Sequence, residues 1–226
     1  MSKRKVKPKF TEDFLPPQAL NAKQSELINC IRDLEMTITV GPAGTGKTYI
    51  PSCYAGYFYK KGIVDKIIIT RPNVPTGKSI GFFPGTLNEK MEPWTKPITD
   101  VLVDYLTAGA VETMIKSGNI EIVPFETIRG RSWSNAFIML DEAQNTTVEE
   151  MKAFCTRIGE NCRVVVNGDT TQSDLKERNN GLAFVTNVIN NSNNLRDTVG
   201  LVTFTSQDIV RSGLCQMFVQ AFEQFS

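Results

Sequence analysis

Apolar residues along the chain follow two patterns, and the alternation of these patterns predicts the fold. Short apolar or β-branched runs predict strands that are buried on both faces of a sheet; they occupy 37–40, 66–70, 120–123, 136–140, 163–167 and 199–204. Apolar residues at helical spacing predict helices over 20–34, 46–60, 96–117, 148–158, 182–189 and 212–225. This alternation favours an α/β domain with a doubly wound, mainly parallel sheet and helices on both faces.

Capping and breaking residues refine the element boundaries. Asn21 suits the N-cap of the first helix, and Thr147 followed by Glu150 has the capping-box spacing. Gly109 is expected to divide 96–117 into two helices. Between 71 and 93, seven prolines and glycines interrupt any regular pattern, and a connection of this length is usually functional or mobile.

Length and composition suit an ordinary globular protein. The 226 residues are 41% hydrophobic and 22% charged, which fits one large domain. We expect a basic flexible tail at 1–15 and a single domain at 16–226. The run 1–9 carries five cations and no acid, so it either contacts nucleic acid or is simply a solvated tail. The sequence has neither a signal-peptide pattern nor an apolar run near eighteen residues, which predicts a cytoplasmic protein without membrane contact.

Charge and residue usage exclude several classes of chemistry. The net charge is only +1, so any site for a polyanion must be a local patch. Histidine is absent, which excludes histidine triads, histidine metal sites and histidine proton shuttles. The five cysteines form no C-x-x-C pair and are expected to be reduced thiols.

The first predicted strand leads through a glycine-rich loop directly into a helix. This loop matches G-x-x-x-x-G-K-[ST], a phosphate-binding loop whose amides and helix N-terminus surround phosphate oxygens. Lys47 would reach the β- and γ-phosphates, and the Thr48 hydroxyl would bind Mg²⁺. A nucleoside triphosphate site is therefore expected, and its loop residues are Gly41, Pro42, Ala43, Gly44, Thr45, Gly46, Lys47 and Thr48.

Other polar residues follow the predicted strands at the same edge of the sheet. Asp141 ends an apolar strand and suits the acid that holds Mg²⁺, while Glu142 is placed to orient or deprotonate water. Asp169 and Gln172 could sense the γ-phosphate, although both are also common in turns. Gln24, one helix before the loop, could read an adenine edge because an amide both donates and accepts.

Hydrolysis would also need positive charge from outside the loop. An arginine commonly supplies it, and the candidates are Arg129, Arg131, Arg178 and Arg211. The segment 71–94 mixes cations and rings, which suits single-stranded nucleic acid, although the rings could instead pack the segment onto the domain. The candidate nucleic-acid contacts are Arg71, Lys78, Phe82, Phe83 and Trp94.

Seven motifs in order resemble those of the PhoH family of phosphate-starvation-inducible ATPases, from about residue 18 to the C-terminus. They are 41–48, 69–72, 81–85, 129–132, 140–147, 168–172 and 208–211. The resemblance implies a three-layer, RecA-like P-loop fold, similar to the first motor domain of superfamily 1 helicases. It also implies that Gln24 contacts adenine, that Gln144 links ATP to the strand site, and that Arg211 is the arginine finger. A one-domain protein would borrow that arginine from a neighbouring subunit, and relatives are thought to form hexameric rings.

The predicted function is ATP hydrolysis with Mg²⁺, coupled in a helicase-like manner to RNA or single-stranded DNA. The expected catalytic residues are Lys47, Glu142, Gln172 and Arg211, and the expected Mg²⁺ ligands are Thr48 and Asp141. Two alternatives are a small-molecule P-loop kinase and a nucleotide-gated oligomeric scaffold with little turnover. Against the kinase, Glu142 suits water activation and the sequence has no arginine-rich lid segment.

Overall fold

A computed structural model describes residues 15–72, 87–173 and 179–211, together with 213, 214, 217, 218 and 221. The basic run 1–9 lies outside this range, as do Lys78, Phe82, Phe83 and Arg178. Most of the predicted closing helix 212–225 also lies outside it, although its five described residues are helical. The division into a tail at 1–15 and a domain at 16–226 stays a prediction.

Helices and strands alternate along most of the described chain. The strands are β1 Met36–Val40, β2 Lys66–Arg71, β3 Ile120–Pro124, β4 Ala136–Leu140, β5 Arg163–Gly168 and β6 Val199–Thr203. The helices are α1 Ala22–Asp33, α2 Tyr49–Lys61, α3 Leu87–Leu106, α4 Ala108–Ser117, α5 Val148–Cys155, α6 Gly181–Asn191 and the short α7 Asn193–Arg196. Single 3₁₀ turns at Ala143–Asn145 and Thr170–Gln172 follow β4 and β5.

The strands form one sheet in the order β3-β2-β4-β5-β1-β6. Every neighbouring pair is parallel, so the carboxyl ends of the strands lie at one edge. Val40 is opposite Gly168, and Thr70 is opposite Leu140. The residues that follow these four strands therefore emerge side by side, where functional loops of a doubly wound sheet are expected.

Two apolar cores cover the two faces of the sheet. On one face, side chains of α1 to α4 pack against alternate strand residues that include Ile67 and Ile69. On the other face, α5 and α6 pack against the intervening residues, among them Ile68 and Ile138. Side chains of a strand alternate between faces, so most strands contribute to both cores, whereas the apolar residues of β1 pack only in the second core. The predicted three-layer, RecA-like architecture is confirmed.

Local boundary predictions hold at two helix starts and at the break between α3 and α4, and fail at the start of α3. Asn21 accepts from the Gln24 amide, and Thr147 forms the predicted capping box. However, α3 begins at Leu87 and contains two prolines, within a region predicted to be irregular as far as 93. The packing of its buried residues into the first core overrides the low helix propensity of proline. The predicted break near Gly109 is present and falls at Thr107, whose φ is 73°.

Among the described helices, none is both long enough and apolar enough to cross a membrane.

Candidate nucleotide-binding site

The loop between β1 and α2 has a backbone that depends on glycine. Gly44 and Gly46 have φ values of 87° and 90°, in the left-handed region that side chains disfavour. A Cβ atom at Gly46 would lie 2.9 Å from Nε2 of Gln24, and one at Gly44 would lie 3.0 Å from Cδ of Arg211. The backbone conformation therefore favours glycine at these positions, and a side chain there would also displace the ends of Gln24 and Arg211.

This loop forms one wall of a cavity of about 460 Å³. Lys47 and Asp141 lie in the same cavity, so the predicted phosphate-binding loop and acidic pair do converge. The sequence-predicted site residues that line it are Gln24, Ala43, Gly44, Gly46, Lys47, Thr48, Asp141, Glu142 and Arg211. The cavity thus joins the loop, the end of β4 and the segment that follows β6.

Thr48 and Asp141 form the predicted magnesium pair. The Thr48 hydroxyl donates to Oδ1 of Asp141 at 3.1 Å, which puts two hard oxygen ligands side by side. Mg²⁺ bound with a nucleotide usually takes only one or two protein ligands and fills its shell with phosphate oxygens and water. Consistently, no cluster of three or more histidine, cysteine or acidic residues that could hold a metal occurs in the described part of the chain.

Burial changes the pKa values of two charged groups in the cavity. Burial is the main reason that the pKa of Asp141 is raised, and repulsion from Glu142 raises it further, while Arg71 and the Thr48 hydrogen bond oppose the shift. Burial likewise lowers the pKa of Lys47, against the attraction of Asp169 and the acidic pair. The Lys47 ammonium donates to the Pro42 carbonyl at 3.0 Å, within its own loop. Both charges are therefore held in a costly environment.

Glu142 has an unusual backbone and a fixed side chain. Its φ and ψ are 54° and 39°, a left-handed conformation that costs a non-glycine residue roughly 1–2 kcal/mol. Oε2 of Glu142 accepts from Nε2 of Gln144 at 2.6 Å. Oε1 of Gln144 in turn accepts from the Asp169 amide at 3.0 Å. Strained conformations of this kind persist where the surroundings enforce them and are common at functional sites.

Gln144 continues this network away from the cavity. Its carbonyl accepts from the Ser173 hydroxyl at 3.0 Å, and the Ser173 oxygen accepts from Nδ2 of Asn180 at 3.0 Å. Oδ1 of Asn180 caps α6 by accepting from the Ala183 amide. The sequence analysis missed Ser173 and Asn180, because neither belongs to a nucleotide motif. Ser173 contacts Gln144, about thirty positions earlier in the sequence, and Asn180 is connected to Gln144 through Ser173.

Gln24 braces the phosphate-binding loop. Its Nε2 donates to the Thr45 carbonyl at 2.9 Å, and its Oε1 accepts from the Leu20 amide at 2.8 Å. The side chain is buried, so the loop and the segment before α1 are tied together through it. A primary amide keeps a second N–H and a second lone pair, and the adenine contact stays a prediction.

Gln172 does not line the cavity. It ends the 3₁₀ turn after β5, its amide donates to the Asp169 carbonyl at 3.0 Å, and its side chain is exposed. Gln172 therefore lies where its alternative interpretation, a turn residue, puts it. Its position gives no support to the catalytic role expected for it. Asp169 is buried nearby, and its charge raises the pKa of Lys47 against the effect of burial.

Arg211 lies against the phosphate-binding loop of its own chain. The Val210 amide donates to the Gly44 carbonyl at 3.0 Å, which holds the segment after β6 beside the loop. Arg211 side-chain atoms would lie within about 3 Å of a Cβ at Gly44. The resemblance implied an arginine borrowed from a neighbouring subunit; here Arg211 lines the cavity of its own chain, and its catalytic role stays a prediction.

The other arginine candidates lie away from the nucleotide cavity or outside the described residues. Arg131 pairs with Glu121 on β3 at 3.2 Å, at the far edge of the sheet. Arg129 lines a separate cavity together with Glu150. Arg178 is not among the described residues. The composition alone did not distinguish the arginine candidates. In the structure, the order of the strands puts the described candidates in different places.

Arg71, which was predicted to contact nucleic acid, lines the nucleotide cavity. Its Nη1 lies 3.8 Å from Oδ2 of Asp141, and its Nη2 lies 3.8 Å from Oε1 of Glu142. The physical reason is that β2 and β4 are parallel neighbours, so the residues that end them meet. Trp94 is half-buried and accepts from Arg71 through its carbonyl at 3.3 Å. The remaining contacts proposed for nucleic acid, Lys78, Phe82 and Phe83, stay predictions.

The residues of this cavity belong to motifs that a family comparison recognises. A family model described as PhoH-like protein matches residues 18–223. The chain belongs to the PhoH-like protein family. The matched range contains the whole cavity, from Gln24 to Arg211, and it confirms the family resemblance predicted from the sequence.

Relatives from several bacteria agree with this assignment. The chain is 39% identical over 210 residues to a PhoH-like protein of Mycobacterium tuberculosis (strain ATCC 25618 / H37Rv), covering 92% of this chain and 58% of the relative. It is 39% identical over 215 residues to Protein PhoH of Escherichia coli (strain K12), covering 94% and 60%. For a PhoH-like protein of Bacillus subtilis (strain 168), the identity is 38% over 202 residues, covering 89% and 62%. The chain thus spans about three-fifths of the length of these relatives.

Solved structures of a helicase domain and of an ATPase core are similar at low sequence identity. The Hef helicase domain of Pyrococcus furiosus matches with a TM-score of 0.49 and 15% identity, covering 83% of this chain and 38% of that chain. The SWI2/SNF2 ATPase core of Sulfolobus solfataricus in complex with dsDNA matches with a TM-score of 0.47 and 11% identity, covering 86% and 47%.

Proposed function

We propose that this chain binds ATP with Mg²⁺ and hydrolyses it. The observation that carries the proposal is the single cavity that holds the phosphate-binding loop, the Thr48–Asp141 pair and Glu142. Phosphoryl transfer to water asks the protein mainly for positioning and for stabilisation of negative charge. This cavity offers loop amides and three cations, Lys47, Arg71 and Arg211.

Each residue of the cavity has a separate role in the proposed hydrolysis. The loop amides and Lys47 bind the β- and γ-phosphates, and Lys47 would leave the Pro42 carbonyl to do so. Thr48 and Asp141 would hold Mg²⁺, which supplies positive charge at the phosphate oxygens. Glu142, fixed by Gln144, orients the attacking water and accepts its proton. The water oxygen forms a bond to the γ-phosphorus as the bond to the β–γ bridging oxygen breaks, and ADP leaves with that electron pair.

Substitution of Lys47 and Glu142 tests this assignment. Lys47→Ala should weaken ATP binding at least about tenfold, because it removes a charge-assisted contact. Glu142→Gln should bind ATP but turn it over at least about a hundredfold more slowly. Lys116→Ala and Glu112→Gln, which alter an exposed ion pair on α4, are matched controls. Rapid turnover by Glu142→Gln would refute the role of Glu142, and a phosphorylated small-molecule acceptor in place of free phosphate would favour a kinase.

We also propose that hydrolysis is coupled to RNA or single-stranded DNA. The support is the hydrogen-bonded path from Glu142 through Gln144 and Ser173 to Asn180. Asn180 also lines a second cavity of about 560 Å³ whose lining side chains are mainly hydroxyls and amides, groups able to bond base edges. The ATPase rate should rise with added polynucleotide. No stimulation, together with no polynucleotide binding at low salt, would remove the coupling from the proposal.

A homo-oligomer, such as the hexameric ring that the resemblance implies, is the assembly we propose. Three large apolar side chains near the C-terminus support self-association: Leu214, Met217 and Phe218 are 61%, 60% and 55% exposed. Large exposed apolar groups commonly mark interaction sites. Mass measurement by light scattering, with and without a nonhydrolysable ATP analogue, tests this, and a monomeric mass under both conditions would refute it.

A further inference from the structure

Arg71 is held beside both acids of the cavity without a direct hydrogen bond to either. Its guanidinium nitrogens lie 3.8 Å from Asp141 and 3.8 Å from Glu142, longer than a direct N–H···O hydrogen bond. Within the described structure it donates one hydrogen bond, to the Trp94 carbonyl. The charge of Arg71 therefore neutralises the acidic pair, while most of its N–H groups have no acceptor among the described residues.

The orientation of Glu142 puts this guanidinium at the place where a γ-phosphate would lie. Gln144 occupies Oε2 of Glu142, so the other carboxylate oxygen, Oε1, faces Arg71. A water activated by Glu142 would lie next to the γ-phosphorus, and the Thr48–Asp141 pair would hold the metal in the same cavity. Arg71 lines this cavity as well, so a γ-phosphate bound there would lie near its guanidinium.

The elements around Arg71 fix its backbone position and provide the carbonyl that its guanidinium contacts. The residue ends β2, in register with Pro124 of β3, and the neighbouring Asp141 amide donates to the Thr70 carbonyl at 3.0 Å. The side chain is only 28% exposed. Its anchor, the Trp94 carbonyl, lies in the turn of α3 that precedes Pro97, and a proline inside a helix removes one backbone hydrogen bond and bends the helix there.

We propose that Arg71 is the arginine that reads the γ-phosphate in this cavity. Without nucleotide it neutralises Asp141 and Glu142; with ATP and Mg²⁺ bound, Asp141 would hold the metal and the guanidinium would turn to the γ-phosphate oxygens. A guanidinium suits this task because it offers paired N–H groups to phosphate and stays protonated throughout. It donates hydrogen bonds only, and the proton of the attacking water goes to Glu142. This inference rests on the proposed ATP hydrolysis at the cavity.

The test compares triphosphate with diphosphate binding. Dissociation constants for Mg²⁺ with AMP-PNP and for Mg²⁺ with ADP would be measured by calorimetry on the full chain carrying Arg71→Ala or Arg71→Lys. Arg71→Ala should weaken AMP-PNP binding at least about tenfold, the loss of a charge-assisted contact, while ADP binding changes less than about twofold. Arg71→Lys should recover part of the loss, because a lysine keeps the charge without the paired geometry. Arg131→Ala, whose side chain pairs with Glu121 at the far edge of the sheet, is the control.

The outcomes separate this inference from the proposed function. If the unsubstituted protein binds AMP-PNP but Arg71→Ala weakens AMP-PNP and ADP equally, Arg71 only maintains the cavity and the inference is wrong. An unchanged ratio of the two affinities in both variants overturns it as well. If the unsubstituted protein binds neither nucleotide, the proposed function itself fails. Folding of each variant would be checked by circular dichroism, and Arg71→Lys keeps the test informative if Arg71→Ala unfolds.

Discussion

Asp141 should destabilise the nucleotide-free protein, and Asp141→Asn should therefore raise its thermal stability while removing its function. The carboxylate is 6% exposed, and burial, followed by repulsion from Glu142, raises its pKa. An asparagine oxygen can still accept from Thr48, and Arg71 keeps Glu142 as a partner. The substitution thus removes a buried charge without removing its hydrogen bond.

The sign of the pH dependence follows from the direction of the pKa shift. Because the folded state raises the pKa of Asp141, its contribution to stability is fully present below the unfolded pKa of about 3.9, and is lost as the pH rises through the folded value. Near neutral pH the charged Asp141 therefore costs stability. Relief of such functional-site strain is typically worth about 1 kcal/mol, which corresponds to roughly 2–4 °C in a chain of this size.

Thermal unfolding without nucleotide, followed from pH 4 to pH 8, measures the effect. The melting temperature of Asp141→Asn should exceed that of the unsubstituted protein at pH 7.5, and the difference should shrink as the pH approaches 4. Asp100→Asn, which alters an exposed ion pair on α3, controls for the loss of a carboxylate in general. A lower melting temperature for Asp141→Asn at pH 7.5, or a difference that grows on acidification, would refute the reasoning.

Two further substitutions test the network and the arginine beside the loop. Ser173→Ala removes the hydroxyl between Gln144 and Asn180 and should lower kcat about threefold to tenfold, with the KM for ATP nearly unchanged. Stimulation of the ATPase rate by polynucleotide should also become weaker. Ser117→Ala is the control, and a normal stimulated rate of Ser173→Ala would exclude a role for this hydrogen-bonded path. Arg211→Ala should spare ATP binding but slow hydrolysis roughly 10³-fold. Because Arg211 lines the cavity of its own chain, mixing Arg211→Ala with Lys47→Ala subunits should restore no activity, whereas recovery would indicate an arginine supplied by a neighbour.

Local sequence patterns were sufficient for the sheet and for the core of the site. Strand and helix signals depend on nearby residues, and the capping box at Thr147 is complete within four positions. The loop 41–48 has a conformation that its own glycines permit. Once the strands are parallel, their carboxyl ends share an edge, so the convergence of Lys47 with Asp141 follows without knowledge of distant contacts.

Long-range contacts decided the residues that were assigned wrongly or missed. Arg71 joins the nucleotide cavity only because β2 lies next to β4, a strand order that periodicity does not reveal. Arg211 reaches its own loop through a hydrogen bond between Val210 and Gly44, 166 positions apart in sequence. The helical state of 87–93 depends on how the rest of α3 packs in the core, which outweighs local propensity.

The glutamine best placed to communicate with ATP is Gln144, not Gln172. Gln144 is 1% exposed and donates a hydrogen bond to the carboxylate of Glu142 at 2.6 Å, whereas Gln172 is exposed. A left-handed backbone at Glu142 persists only if its neighbours enforce it, and Gln144 does so from within the adjoining 3₁₀ turn. A change in the position of Glu142 would therefore act on Gln144 and, through it, on the Asp169 amide and Ser173. If the proposed hydrolysis moves Glu142, this network connects the cavity to α6 without contact between α6 and the nucleotide.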